Sequence, residues 1–523
     1  MNVPDPDGLK AVLPTGRIQI GKLNLSSLYL LGFDIGSSSI KAALVNADTG
    51  QTAGMTQYPD REMDILAPQP DWAEQDPAVW WDAVCHASRK LMHDSGVAPS
   101  QIAAIGISYQ MHGLVTVDAQ GEVLRPSIIW CDSRAVGIGD RAFQDIGESY
   151  CLEHYLNTPG NFTASKLRWV RENEPEVFKK IDKIMLPGDY IAYRMTGEIC
   201  STVTGLSEGI FWDFTTNTPA QKLLDYYEIP ESMLPPVRGV FEQQGRLHAA
   251  AAAALGLAEG IPVGYRAGDQ PNNALTLNVL RAGEVAATGG TSGVVYAVAP
   301  GPIHDPQQRV NGFAHVNYTP EQPLTGILLC INGAGSQYRF MRQIGGNNMM
   351  SYAQMEESAA DAPVGSDGVT VLPFGNGAER MLGNKTPGSR MLGLNFNRHE
   401  KRHLFRAALE GIAFAFVYGM EALRDMNIPV SVLRVGNDNL FQSAIFSNTI
   451  ATLICSEIEM HATTGAIGAA KAAGVSVGIY KNVEEAMQGG NVVHRYEPES
   501  RPEAYLDTYF IWKRELKTAL ELT

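Results

Sequence analysis

The cysteines of this chain are few and not grouped. The 523 residues include six cysteines, which are scattered singly and never form a Cys-x-x-Cys pair. Zinc ribbons and disulfide frameworks both need cysteines at short, regular spacings, so the sequence argues against these two classes. Free thiols are typical of a reducing compartment, and we expect a cytoplasmic protein.

Long apolar runs and a surplus of basic residues are also missing. No apolar stretch approaches the roughly 18 residues that a membrane span needs, so we expect no membrane partner. Acidic residues outnumber basic ones by 56 to 41, which gives a net charge of −15. This charge argues against a nucleic-acid partner. The negative net charge does not exclude a small anionic ligand, because backbone N–H groups and a metal ion can bind one.

Three common catalytic motifs are absent as well. The sequence has no Gly-x-x-x-x-Gly-Lys-Ser/Thr loop, no His-Glu-x-x-His pair and no Gly-x-Ser-x-Gly elbow near a plausible triad. As far as motifs can decide, the sequence excludes a P-loop phosphotransferase. It also argues against a zinc peptidase of the His-Glu-x-x-His type and a hydrolase with a Gly-x-Ser-x-Gly elbow.

The chain is long enough for two or three domains, and its hydrophobic share of 45% is that of a globular protein. Segments of strand character alternate with helical ones throughout, which predicts an α/β fold. We expect an N-terminal extension over residues 1–28, a first lobe over residues 29–275 and a second lobe over residues 276–523.

Residues 29–45 predict an apolar strand, a tight Gly/Ser turn and a second apolar strand. Asp34 lies at the end of the first strand, and Gly36 lets the turn close. Ser37 and Ser38 then offer hydroxyl and N–H groups. A phosphate with its magnesium ion needs such donors, together with a carboxylate for the metal. An ordinary hairpin turn is the alternative that this stretch alone leaves open.

Residues 283–298 repeat the same pattern in the other half of the chain. An apolar strand leads into Gly290, Thr291 and Ser292, and a second apolar strand follows. Two strand–turn–strand units of this kind suggest two related lobes, each of which presents a phosphate-binding turn to a shared cleft.

Asp269 is the main candidate for catalysis. It lies between a predicted strand and a predicted helix, where a carboxylate often serves only as the helix N-cap. The alternative is a general base that takes a proton from a substrate hydroxyl. Phosphoryl transfer asks for little covalent chemistry from the protein, so one carboxylate suffices beside magnesium and positioned phosphates. The sequence leaves both roles open.

Two further loops follow predicted strands, where ligands tend to bind in α/β folds. Met111 and His112 follow one strand, and they either contact a polar substrate or are structural. Gly436 and Asn437 follow another strand and, taken alone, are a weak signal of a ligand site.

Taken together, these segments resemble the FGGY family of carbohydrate kinases. The motifs that carry the resemblance lie at residues 32–41, 72–77 with Trp80 and Trp81, 110–113, 130–134, 162–167, 268–269 and 290–293. They occur in the family's order, and the resemblance runs from about residue 30 to about residue 480. Gln-Met-His-Gly at 110–113 and Phe-Thr-Ala-Ser-Lys-Leu at 162–167 favour members that phosphorylate D-xylulose over those that act on glycerol, ribulose or gluconate.

The resemblance implies two actin-like, ribonuclease-H-like lobes around a central catalytic cleft. It implies that the sugar binds mainly to the first lobe and ATP mainly to the second. The implied reaction is the ATP-dependent phosphorylation of D-xylulose to D-xylulose 5-phosphate, with Mg²⁺ as cofactor. The expected partners are thus a ketose and ATP, and a homodimer is left open.

The resemblance also assigns roles to individual residues. Asp269 becomes the base that deprotonates the terminal sugar hydroxyl, and Asp34 and Asp269 become the metal ligands. Met111, His112, Asp269 and Gln270 contact the sugar. The residues assigned to ATP are Ser37 and Ser38 in the first turn, Gly290, Thr291 and Ser292 in the second turn, and Gly436 and Asn437 beside the adenosine.

Two departures from the family pattern touch the ligand sites. Gln270 stands where members that act on D-xylulose usually carry Asn, which leaves sedoheptulose or another ketose as alternative substrates. Asp438 falls in a loop that is usually Gly-Gly-Gly, which leaves nucleotide preference open. A non-catalytic sugar or nucleotide sensor is the remaining alternative, and the presence of Asp34, Asp269 and the Thr-Ser turn at 291–292 argues against it.

Overall fold

The computed structural model describes residues 27–346 and 348–523. The extension predicted over residues 1–28 therefore lies almost wholly outside the described residues. Over the described ranges, no helix combines the length and the apolar character that a membrane span requires.

The strands fall into two large sheets and several two-stranded pairs. In chain order they are β1 (Tyr29–Ile35), β2 (Ile40–Asn46), β3 (Thr52–Tyr58), β4 (Glu74–Gln75), β5 (Ile102–Tyr109), β6 (Val115–Val117), β7 (Ser127–Ile128), β8 (Lys183–Met185), β9 (Ser201–Thr202), β10 (Trp212–Asp213), β11 (Thr218–Pro219), β12 (Val237–Arg238), β13 (Val263–Gly268), β14 (Glu284–Gly289), β15 (Gly293–Ala299), β16 (Asn311–Ala314), β17 (Thr325–Ile331), β18 (Thr370–Phe374), β19 (Gly388–Leu392), β20 (Val432–Gly436), β21 (Ile458–His461) and β22 (Val492–Tyr496).

The helices lie between these strands for most of the chain. In chain order they are α1 (Pro77–Ser95), α2 (Val136–Ile146), α3 (Glu148–Tyr155), α4 (Thr163–Asn173), α5 (Pro175–Phe178), α6 (Pro187–Thr196), α7 (Val203–Glu208), α8 (Gln221–Tyr227), α9 (Ala249–Leu255), α10 (Asp269–Thr276), α11 (Gly335–Gly346), α12 (Tyr352–Ala360), α13 (Lys401–Asp425), α14 (Ala444–Ile454), α15 (Gly465–Ser476), α16 (Val483–Met487) and α17 (Glu503–Glu521).

The two large sheets share one arrangement of strands. The first has the order β13-β5-β1-β2-β3, in which β1, β5 and β13 are parallel and β2 and β3 continue antiparallel. The second has the order β16-β17-β15-β14-β20-β21-β22, in which β14, β20 and β21 are parallel. Each sheet therefore joins an antiparallel meander to two parallel strands. This repetition confirms the predicted α/β fold with two related lobes.

The first sheet and α15 approach each other at backbone distance. Gly32 on β1 pairs with Gly106 on β5. A Cβ atom at Gly32 would lie 1.9 Å from the carbonyl oxygen of Ala466, and one at Gly106 would lie 1.9 Å from that of Ala469. Only glycine fits at these two positions, because α15 occupies the space that a side chain would need.

This contact crosses the predicted boundary between the lobes. In sequence α15 belongs to the second half of the chain, yet it packs on β1, β2, β5 and β13 of the first sheet. The lobe boundary near residue 275 stays a prediction. The contacts of α15 join the two parts of the chain that this boundary separates.

The second lobe is built around α13, a helix of 25 residues. Phe405, Leu409, Ile412 and Phe416 follow helical spacing and are fully buried. Around them pack α11, α12 and α14 together with β18. Because α13 also contacts β15 and β17, it joins the second sheet to these surrounding helices.

We expect Gly106→Ala to lower the free energy of unfolding by about 3 kcal/mol, because its methyl group would overlap the backbone of α15. The measurement is the midpoint of thermal unfolding. Gly137→Ala is the matched control, since Gly137 is exposed in α2 and a Cβ there would meet only Arg141 Nη1, at 3.8 Å. Equal unfolding midpoints for the two variants would contradict the packing argument.

Candidate active site

Three parallel strands of the first sheet end at the same edge. The pairing register puts Asp34 of β1, Ser108 of β5 and Ala267 of β13 side by side. Ser108 Oγ donates a hydrogen bond of 2.8 Å to Asp34 Oδ1. Asp269 follows Ala267 by two residues and begins α10. The fold therefore brings both predicted carboxylates to one edge of the sheet.

Asp269 has an environment that suits proton transfer near neutral pH. Burial, and then the negative charge of Asp34, raise the pKa of Asp269 to about 7. Hydrogen bonds from Gln270 act in the opposite direction. Gln270 is half-buried and adjacent to the carboxylate, at the position where the sequence predicted a sugar contact.

His112 follows the end of β5 by three residues and is held by three neighbours. Its Nδ1 atom lies 2.9 Å from the carbonyl oxygen of Glu208, and its ring packs against Phe162 and Phe313. Burial, and then the positive charge of Lys166, lower the pKa of His112 to about 3. The imidazole is therefore neutral. Because a carbonyl can only accept, Nδ1 carries the proton, and Nε2 is left as a hydrogen-bond acceptor.

Lys166 fixes the backbone on which His112 sits. Its Nζ atom donates hydrogen bonds of 2.9 Å to the carbonyl oxygens of His112 and Ile129. His112 has a φ of 61°, an uncommon backbone conformation that these bonds support. Burial lowers the pKa of Lys166 to about 7. The motif at 162–167 marked this lysine in the sequence, but no sequence argument connected it with His112.

Met111 and Glu208 meet behind Gly268. A Cβ atom at Gly268 would lie 2.6 Å from Met111 Cγ and 2.5 Å from Glu208 Oε2. Burial, and then the charges of Asp269 and Asp189, raise the pKa of Glu208 well above its ordinary value. Burial therefore favours the neutral form of Glu208, whose carboxyl group lies against Gly268. Sequence reasoning missed it, because no local pattern marks it.

The first predicted phosphate turn connects β1 and β2. Gly36 N–H donates to the carbonyl oxygen of Ser39 at 3.1 Å, which closes the turn. Gln75 Nε2 donates to the carbonyl oxygen of Ser37 at 2.7 Å. Ser38 is exposed and Ser37 is half-buried, so both lie at the surface of the turn.

The second predicted phosphate turn connects β14 and β15. Gly335 N–H and Ser336 N–H, at the start of α11, donate to the carbonyl oxygens of Gly290 and Thr291 at 3.0 Å. Thr291 and Ser292 are exposed. The turn is thus anchored by its carbonyl groups, and its hydroxyl groups remain accessible to a ligand.

A cavity of about 750 Å³ opens beside the second turn. Its lining includes Gly290 and Thr291 from the turn, Tyr338 from α11 and Tyr352 from α12. Ligand pockets commonly have volumes of roughly 300–1,000 Å³, so a nucleoside fits this cavity by size.

The loop after β20 reaches this cavity through its later residues. Asn439 and Gln442 line the cavity, whereas Gly436 and Asn437 are not among the lining residues. Gln442 Nε2 donates to the carbonyl oxygen of Asn437 at 3.3 Å, which ties the two parts of the loop together. Burial raises the pKa of Asp438, the acid that departs from the family pattern.

The oxygen groups beside Asp34 fit a magnesium ion. Asp34 Oδ2 lies 2.8 Å from the position of a Cβ at Gly465, and Asn272 Nδ2 donates to the carbonyl oxygen of Gly465 at 3.0 Å. The buried Asn272 Oδ1 has no hydrogen-bond partner in the described structure. Mg²⁺ is commonly held by one or two carboxylates, with phosphates and water completing its shell. Asp34 and Asp269 are the residues that would supply those carboxylates. Within the described ranges no larger cluster of His, Cys, Asp and Glu could hold a metal.

Two family models match the chain. The N-terminal domain of the FGGY family of carbohydrate kinases matches residues 29–276, and the C-terminal domain of the same family matches residues 285–477. The two matches follow the division into two sheets, except that α15 falls within the second match and packs on the first sheet.

Individual relatives span nearly the same length. The chain is 29% identical to the xylulose kinase of Escherichia coli (strain K12), over 87% of this chain and 91% of the relative. It is 30% identical to the L-xylulose/3-keto-L-gulonate kinase of the same organism, over 88% and 90%. The crystal structure of xylulose kinase from Rhodospirillum rubrum superposes with a TM-score of 0.83 at 26% identity, over 94% and 98%. These likenesses confirm the predicted actin-like, two-lobe fold.

We expect Asp269→Asn to remove a pH-dependent cost to folding. The folded pKa of about 7 lies above the ordinary value of 3.8, so the folded wild type binds more protons and loses stability as pH rises between these values. Asparagine does not titrate. The melting temperature of the variant relative to wild type should therefore grow with pH through this window and stay constant above it.

The measurement is thermal unfolding without nucleotide, sugar or metal at a series of pH values. Asp140→Asn serves as the control, since Asp140 is exposed on α2. A difference between Asp269→Asn and wild type that does not change with pH would contradict the raised pKa.

Proposed function

The chain belongs to the FGGY family of carbohydrate kinases, because the two family models match most of its length, and we propose that it phosphorylates D-xylulose to D-xylulose 5-phosphate with ATP. Its sugar kinase activity follows from membership of the family. Support for the choice of sugar comes from the xylulose kinases among its relatives. The observation that carries the mechanism is the raised pKa of Asp269 at the edge of the first sheet.

In the proposed reaction, Asp269 accepts the proton of the terminal sugar hydroxyl while the hydroxyl oxygen forms its bond to Pγ of ATP. The bond from Pγ to the bridging oxygen breaks, and ADP leaves with that electron pair. A base whose pKa is about 7 accepts the proton during transfer and releases it to water at neutral pH.

Neutral side chains hold the sugar in this proposal. His112 accepts a hydrogen bond from a sugar hydroxyl at Nε2, since its Nδ1 proton is directed to the carbonyl oxygen of Glu208. Met111 supplies an apolar surface, and Gln270 supplies an amide beside the base. Uncharged groups suit a ketose, which has no charge to neutralise.

The phosphates lie between the two turns in this proposal. Ser37 and Ser38 face them from the first turn, and Gly290, Thr291 and Ser292 from the second. Bound Mg²⁺, held by Asp34 and Asp269, would neutralise part of the negative charge of the phosphates. The adenosine occupies the cavity beside the second turn, with the loop that begins at Gly436 and Asn437 on one side.

L-xylulose is a second candidate substrate. One relative, at 30% identity, is named an L-xylulose/3-keto-L-gulonate kinase. Gln270, where asparagine is usual, changes the amide that lies next to the base. Both observations concern the sugar and leave the chemical step unchanged.

All six cysteines are free, which supports the expected cytoplasmic location. A homodimer stays a prediction.

The first test of this proposal is a coupled ADP-release assay with MgATP and a panel of ketoses. We expect the highest kcat/KM with D-xylulose. We also expect Asp269→Asn to lower kcat by at least about 1,000-fold while sugar binding survives, because the amide cannot accept the proton. Isothermal titration of the sugar provides the binding measurement. A variant that turns over at near wild-type rate would refute the assignment of the base.

The sugar contact of His112 has its own test. We expect His112→Ala to raise KM for the sugar by about tenfold, which corresponds to the loss of one hydrogen bond in a desolvated site. The KM for ATP should change much less. His93→Ala is the control, because His93 is exposed on α1. An unchanged KM for the sugar would remove His112 from the pocket.

A further inference from the structure

The loop of residues 375–387 carries an adjacent acid and base, Glu379 and Arg380, to which the proposed reaction assigns no role. Glu379 is fully buried, and its two carboxylate oxygens accept the N–H group of Asn332 at 3.1 and 3.2 Å. Asn332 Nδ2 donates to the carbonyl oxygen of Ala378 at 2.8 Å. The loop is thereby attached to the end of β17, which gives the residue after Glu379 a defined position.

Arg380 begins a short 3-10 turn (Arg380–Leu382) that packs against β17. The side chain is half-buried. No described carboxylate lies within 4.0 Å of its guanidinium, and no described residue accepts a hydrogen bond from it. Its nitrogen atoms are not among those sealed off from solvent without a partner. A guanidinium in such a partly desolvated position is costly unless an anion pairs with it.

The loop holds Arg380 near the second phosphate turn, because Glu379 is bonded to Asn332, and Ile331, the residue before Asn332, pairs with Gly293 at the end of that turn. Cys330 lies on β17 and pairs with Val294, which lies two positions after Ser292 of the second phosphate turn. Burial raises the pKa of Cys330 to about 11, against the nearby charge of Arg380 and with a further increase from the charge of Asp269.

The charge of Arg380 also contributes to the lowered pKa of His112. The guanidinium thus lies within electrostatic reach of both the sugar site on the first lobe and the phosphate turn on the second. In the proposed reaction, the phosphoryl group moves from this phosphate turn to this sugar site.

We propose that Arg380 is a catalytic residue that donates hydrogen bonds to the non-bridging oxygens of the phosphoryl group during its transfer, an inference that rests on the proposed kinase reaction. The guanidinium keeps all its protons throughout. Asp269 takes the proton of the hydroxyl, the sugar oxygen bonds to Pγ, and ADP leaves. A planar fork of N–H donors matches the oxygens of a phosphoryl group, and a preorganised donor of this kind lowers the barrier most where charge develops.

The test compares Arg380→Ala and Arg380→Lys with wild type under saturating MgATP and the best sugar of the panel. We expect kcat to fall by about 100-fold or more in the alanine variant and by less in the lysine variant. The dissociation constant of the sugar should stay within about threefold, since uncharged groups bind the ketose. Added guanidinium ion at millimolar concentration should restore kcat of Arg380→Ala at least tenfold, which a purely structural defect would not permit.

Two matched controls separate the proposed role from other effects of losing a charge. Lys385→Met removes a cation from the same loop, where the Nζ atom of the exposed Lys385 donates to the carbonyl oxygen of Leu520. Asp140→Asn tests whether Arg380 instead forms an ion pair across the cleft with Asp140, an exposed residue of α2. We expect both variants to keep kcat within about twofold of wild type.

Several results would overturn the proposal. They are a kcat of Arg380→Ala close to wild type, an absence of rescue by guanidinium, and an equal loss in Asp140→Asn. A loss of kcat confined to sugars that carry a carboxylate would show that Arg380 binds the substrate carboxylate instead. ATP hydrolysis without sugar transfers the same phosphoryl group to water, so its rate in wild type and Arg380→Ala decides the role of Arg380 even if no ketose of the panel is phosphorylated.

Discussion

The contact between α15 and the first sheet is the constraint on which the rest of the structure depends. Gly32 and Gly106 leave no side chain between the strands and the helix, so the helix reaches the sheet edge where the carboxylates lie. Its first residue, Gly465, lies against Asp34 and accepts a hydrogen bond from Asn272. Because α15 follows the second sheet in the chain, this single contact also ties the half that carries the second phosphate turn to the half that carries the candidate base.

One physical cause, burial, governs the electrostatics of the candidate site. It raises the pKa of Asp269 to about 7, lowers that of Lys166 to about 7 and lowers that of His112 to about 3. All three groups are displaced towards their neutral forms. A site of this kind suits an uncharged sugar and a proton that moves at neutral pH. The negative charge of the phosphates must then be met by other groups, and Arg380 and a metal ion are suited to that task.

Sequence patterns predicted the strands and turns that form the framework of this site. The strand–turn–strand units at 29–45 and 283–298 form as expected, because apolar spacing and glycine act over a few neighbouring residues. The prediction of two related lobes followed from the repetition of one local pattern. The part of the loop after Gly436 and Asn437 that lines the cavity was harder to predict, since only the folded chain brings Asn439 and Gln442 there.

The sequence by itself determined the α/β order of elements, the two turns and the place of Asp269 between a strand and a helix. These features depend on interactions between residues close together in the chain. Only the tertiary structure decided that Lys166 holds the carbonyl oxygen of His112 across 54 residues, that Glu208 lies against Gly268, and that the 3-10 turn of Arg380 packs against β17. Such contacts join distant segments, and their energies depend on burial that no local pattern specifies.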